Sequence, residues 1–293
     1  QPISKCTDNS ISEKAGKIND LETISMTELY DTVYPSKPPL IDGLLYTGTY
    51  LFVGAPKLGK SYLMAQLAYH ISTGTPLWDY TVRKGTVLYL ALEDDYRRLQ
   101  ERLYRMFGTD STDNLFFSVS ADSLGNGLDA QLQRFMQEHT DTSLIIIDTL
   151  QKVREVGGDN YSYANDYEII TRLKQFADKY GICILLVHHT RKQTADDKFN
   201  MISGTTGLLG AADGAFLLQK EKRTSNAATL EVSGRDQQDQ KLYLNRNTET
   251  LLWELERTET ELWKEPPEPL LEKIAQLLSS GSNEWTGTPT ELC

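Results

Sequence analysis

Between residues 49 and 189 two kinds of apolar pattern alternate along the chain. Short runs that are apolar at most positions read as strands: "TYLFVG" (49–54), "GTVLYLALE" (85–93), "LFFSVS" (115–120), "SLIIIDTL" (143–150) and "ICILLVHH" (182–189). Between them lie longer stretches with helical spacing: "KSYLMAQLAYHISTG" (60–74), "DDYRRLQERLYRMFG" (94–108), "LDAQLQRFMQEHT" (128–140) and "YANDYEIITRLKQFADKYG" (163–181). Three of these run into a glycine, Gly74, Gly108 or Gly181, the residue that most easily takes the left-handed turn ending a helix. Strands apolar on both faces and separated by helices predict an α/β fold with a parallel sheet covered on both sides.

After residue 200 the pattern changes. "GAFLLQKE", "AATLEVSGR", "KLYLNRN" and "TLLWELE" are short strands with turn residues between them, expected as antiparallel hairpins added to the C-terminal edge of the sheet. The ends read differently again. Residues 1–20 are polar and poorly periodic, a flexible arm. "ETISMTELYD" is a short helical pattern, and a proline pair follows it. "EPPEP" (265–269) breaks the chain before an amphipathic helix, "LLEKIAQLLSS". "TPTELC" then opens as a helix would, with Thr288 as N-cap, Pro289 first and Glu291 third. The expected organisation is an arm over 1–20, one α/β domain over 21–258, and a linker, helix and cut-off second domain over 259–293.

Composition narrows the class only a little. Hydrophobic residues make up 39%, ordinary for a globular domain, and no apolar run approaches the roughly 20 residues that span a membrane. Cys6, Cys183 and Cys293 are odd in number and far apart, which predicts no disulfide framework and a reducing, cytoplasmic location. The net charge of -11 argues against a broad basic surface for duplex DNA. It leaves room for a nucleic acid gripped by a few loops.

The chemistry starts at "GAPKLGKSY". Gly54, Gly59, Lys60 and Ser61 match G-x-x-x-x-G-K-[ST], with a strand before and a helix after. In such a loop, backbone N–H groups converge on an anion and the helix start adds partial positive charge. The cradle comprises Gly54, Ala55, Pro56, Lys57, Leu58, Gly59, Lys60, Ser61 and Tyr62. Lys60 is expected on the outer phosphates of ATP, and Ser61 on Mg²⁺.

Residues at the ends of later strands complete the expectation, because sheets of this kind bind ligands at their carboxyl edge. Asp148 ends "LIIID" and suits the same Mg²⁺, with Thr149 as a weaker alternative. Glu93 ends "LYLALE" and suits a base that polarises water, in competition with Asp94 and Asp95. His188 or His189 can sense the terminal phosphate. The following loop carries Arg191, Lys192 and Lys198, cations suited to a nucleic-acid backbone. Arg235, in "SGRDQQDQ", is read either as a surface salt-bridge partner or as a cation completing a neighbouring subunit's site.

Together "GAPKLGKS", "LYLALEDD", "LIIIDTL", "LLVHHTRK", "SGTTGLLGAADGAFLL" and "VSGRDQQDQKLYL" resemble the RepA-like branch of RecA-fold ATPases, over residues 40–255. That branch includes hexameric replicative helicases of plasmids, phages and mobile elements. The resemblance implies a RecA-like core and a homo-oligomeric, hexameric ring. Glu93 would be the base, and Arg235 would act on the adjacent subunit's ATP. Loops at 154–165 and 191–206 would face a channel holding single-stranded DNA. It also implies that "NEWTGTPTELC" opens a winged-helix-like domain. Glu155, Asp159, Asp166, Asp196 and Asp197 in or near those loops depart from strong DNA binding. Two other functions fit the loop: an ATP-gated switch that binds DNA or a partner without unwinding, and a small-molecule kinase, which would need an arginine-rich lid.

Overall fold

A computed structural model of the chain describes residues 23–33, 38–154, 163–189, 206–220, 222, 224–235 and 237–260. The arm expected over 1–20, the cations Arg191, Lys192 and Lys198, and everything from 261 onward lie outside the described residues. The chain divides into two units, Gln1–Ser36 and Lys37–Cys293. The first holds α1 (Met26–Asp31), whose start is secured by reciprocal bonds between Ser25 and Glu28.

In the second unit the elements follow the apolar pattern. They run β1 (Gly48–Gly54), α2 (Lys60–Thr73), β2 (Thr86–Ala91), α3 (Tyr96–Phe107), β3 (Leu115–Ser118), α4 (Leu128–Glu138), β4 (Thr142–Asp148) and α5 (Leu150–Val153). After these come α6 (Tyr163–Tyr180), β5 (Cys183–His189), α7 (Thr206–Ala211), β6 (Gly214–Gln219), β7 (Ala227–Gly234), β8 (Gln240–Arg246) and β9 (Trp253–Thr260). Among the described residues the strands form one sheet in the order β3-β2-β4-β5-β1-β6-β7-β8-β9. The first six in that order are parallel, and β7, β8 and β9 join antiparallel. The strand expected to open the antiparallel set, β6, instead pairs in parallel with β1. The chain returns through α7 before β6, and a crossover of that length restores the parallel direction.

Strand alternation sorts the apolar residues onto two faces. Phe52, Tyr89, Ile146, Leu185 and Phe216 join one core with Leu63, Leu67 and Ile71 of α2. Val53, Leu90, Ile147, Leu186 and Leu217 join the other with α4, α5 and α6. The added strands bury only one face: Leu230, Val232, Leu242, Leu244 and Trp253 all extend the α2 core. Among the described residues no helix is long and apolar enough to cross a membrane.

Candidate nucleotide site

The loop between β1 and α2 sits at the carboxyl edge of the sheet, and close packing dictates its glycines. A Cβ on Gly54 would lie 2.8 Å from the Leu218 carbonyl oxygen. Gly59, at φ 99°, is the N-cap of α2 and sits in the left-handed region. Its face meets Arg246 Nη1 and Trp253 Cζ2, 3.1 and 3.2 Å from where a Cβ would be.

Lys60 opens α2 and turns back under the loop. Its Nζ donates to the carbonyls of Gly54 (2.8 Å) and Ala55 (3.0 Å), and lies 3.1 Å from His189 Nδ1. Burial pulls its pKa down to about 8, against the opposing pull of Asp148 and Glu93. One residue on, Ser61 Oγ donates to Asp148 Oδ2 at 2.8 Å. Asp148 is buried, and desolvation raises its carboxyl above the usual range despite donors from Ser61 and Tyr89. A buried carboxylate next to a hydroxyl oxygen is a hard-oxygen donor pair suited to Mg²⁺.

The sheet separates residues the linear pattern left together. Gly54 pairs with His189, and Val53 with His188. Alternation therefore sends His189 to the α2 side beside Lys60 and His188 to the opposite face. Burial and the Lys60 charge push His189 below its ordinary pKa, so near neutral pH it meets Lys60 as a neutral ring. The acids after β2 sort as well. Asp94 pairs with Arg102 at 2.7 Å and with Arg98 at 3.6 Å, and Asp95 caps α3 through the Arg98 N–H. Glu93 is exposed and accepts from Thr149 Oγ1 at 3.2 Å.

Arg235 lies elsewhere. Gly234 pairs with Gly214, which pairs with Tyr50, at the edge opposite the loop. There Arg235 is exposed and donates to the Gly210 carbonyl at 3.3 Å. It is outside this chain's own phosphate cradle.

Several residues at the site carried no sequence signal of their own. Trp253, buried at the start of β9, donates through its indole to the Gly59 carbonyl at 3.3 Å. Gln66 of α2 exchanges two hydrogen bonds with the Trp253 backbone, at 2.8 and 2.9 Å. Arg246 lies over the rings of Tyr62 (5.6 Å) and Trp253 (5.9 Å), and Lys220 lies 5.3 Å over Trp253. These two cations end β8 and β6 at the loop's edge, and burial together with Arg246 lowers the Lys220 pKa. An unbroken pairing register across four strands, not local composition, delivers them there.

With the fold and the cradle in view, comparison with known proteins is informative. The family described as AAA domain matches residues 18–195, more than half of the chain. The chain belongs to the AAA domain family. No curated protein matches it. Similar solved structures of this AAA domain protein include a separately solved ATPase domain, at TM-score 0.59 and 14% identity over 71% of this chain and 84% of that one. A DnaB-like replicative helicase, solved with its primase interactions, gives 0.58 and 16%, over 78% of this chain and 66% of that one. The KaiC-like protein PH0186 from Pyrococcus horikoshii OT3 gives 0.54 and 14%, over 74% and 94%. At these identities the likeness is one of fold: a RecA-like α/β core.

Proposed function

We propose that this AAA domain protein hydrolyses ATP with Mg²⁺, as a subunit of a ring acting on single-stranded DNA, in the manner of a RepA-like replicative helicase. The observation that carries the reading is the convergence of Lys60, Ser61, Asp148, Glu93 and His189 at one edge of the sheet. Ser61 and Asp148 would hold Mg²⁺, which supplies charge neutralisation on the phosphates when bound. Lys60 leaves the loop carbonyls for the phosphate oxygens. Glu93 takes a proton from water as the oxygen attacks the γ-phosphorus, and ADP leaves in line. His189 faces Lys60, so departure of the phosphate is felt directly at the end of β5. Arg235, exposed at the far edge, is free to reach a neighbour's ATP, and the match to a DnaB-like helicase favours a helicase-type assembly over the kinase reading.

The test is ATP turnover with and without single-stranded DNA, alongside strand displacement and sedimentation mass. Lys60→Ala should abolish turnover. Arg235→Ala should do so as well, and mixing it with Glu93→Gln protein should restore part of the activity. Turnover indifferent to single-stranded DNA, with no displacement, sinks the helicase reading and leaves the ATP-gated switch. No restoration on mixing removes the shared site.

A further inference from the structure

Beneath the loop, a buried tyrosine makes a contact that the roles above do not use. Tyr89 on β2 pairs with Ile146 on β4, and Asp148 follows Ile146 by two residues on the same face. That diagonal is within reach of a long side chain. The Tyr89 hydroxyl donates to Asp148 Oδ2 at 2.9 Å, the same oxygen that takes the Ser61 proton at 2.8 Å. Among the described residues no donor reaches Oδ1.

The hydroxyl is not needed for packing. Tyr89 is fully buried, its ring centroid 5.6 Å from that of Phe117, and a phenylalanine would fill the same space. Nor is it needed to join β2 to β4, whose ladder already pairs Val87 through Ala91 with Leu144 through Asp148. A buried hydroxyl requires a partner, and here the partner is the carboxylate. The two donors also differ in footing. Ser61 belongs to the first turn after the phosphate loop, which rearranges when phosphates enter, whereas Tyr89 stands on a strand flanked on both sides.

We infer that Tyr89 is a positioning residue for divalent-cation capture: its hydroxyl holds the Asp148 carboxylate in place while its other oxygen faces the metal of the bound nucleotide. The inference rests on the Mg-nucleotide reading above. Partners that orient a ligand in this way typically change metal affinity by about 10- to 100-fold when removed.

The experiment is calorimetric binding of a non-hydrolysable ATP analogue to the full chain, first in EDTA and then across a Mg²⁺ titration. Wild type should bind in EDTA and tighten with Mg²⁺. Tyr89→Phe, checked for wild-type melting, should bind within about twofold of wild type in EDTA yet need about tenfold more Mg²⁺ for half of the tightening. In an Asp148→Asn background, Tyr89→Phe should add no further shift, because the carboxylate it acts through is gone. An unchanged Mg²⁺ midpoint in Tyr89→Phe overturns the inference, as does an equal shift in the Asp148→Asn background. Wild-type affinity that ignores Mg²⁺ overturns the parent reading and this one with it, and the two failures are distinguishable.

Discussion

The parallel and antiparallel halves of the sheet bury their strands differently, and the difference shows how the site is divided between them. β1, β2 and β4 are buried at every position, while β7 and β8 alternate between buried and partly exposed. A strand covered on both faces has only its end left for chemistry, and Gly54, Asp148 and His189 are strand ends. A strand covered on one face has its other face and its turns for contacts. The antiparallel half accordingly supplies support: Trp253 and its bonds to Gln66 and Gly59 hold the phosphate loop from the side. One half provides reacting groups, and the other fixes the backbone they act through.

Substitutions in each half test that division. The largest effect belongs to the parallel half. Glu93→Gln should lower steady-state ATP turnover by about 10²–10⁴-fold while nucleotide binding stays near wild type. Turnover at wild-type rate would move the base elsewhere. Next comes the antiparallel half. Trp253→Ala should cost about 3–5 kcal/mol in denaturant unfolding and also weaken nucleotide binding, whereas Leu244→Ala, costing about 2–5 kcal/mol, should leave binding nearly intact. Equal effects on binding would show that the antiparallel half contributes bulk stability alone.

A smaller effect concerns charge at the junction. The folded pKa of Lys60 is about 8, below its unfolded 10.5, so between those values the unfolded chain binds the extra proton. Stability of the nucleotide-free protein from this group therefore rises with pH through that window, and below it the buried charge is a constant penalty. In unfolding measurements, any stability advantage of Lys60→Met should shrink by about 2 kcal/mol between pH 7 and 10. A constant difference would mean that Lys60 titrates normally. Smallest of all, Arg97→Ala removes a solvent-exposed pair with Glu101 and should change stability by less than about 0.5 kcal/mol.

How much of this was legible beforehand follows from the range of the interactions. The loop "GAPKLGKS" is contiguous, and its strand and helix context is local, so the cradle could be read directly. Glu93, Asp148 and the histidine pair were legible as ends of apolar runs. Which histidine faces Lys60 was not, because the answer depends on the phase of β5 against β1. Glu93 could not be separated from Asp94 until Arg102 was seen to occupy the latter. Tyr89 read as a core residue, since periodicity reports burial and not the partner of a buried hydroxyl. Trp253 and Gln66 stand 187 residues apart, and neither carries a local mark of the other.

The α/β class, the phosphate cradle and the set of strand-end acids and histidines follow from the amino-acid sequence alone, because each is written in short-range periodicity and spacing. The direction of β6, the choice of His189, the Tyr89 contact with Asp148, the support from Trp253 and the place of Arg235 at the far edge were settled only in the folded chain. Those features depend on which strands become neighbours and in what register. That choice is made by burial of the whole core and is not confined to any one segment of the chain.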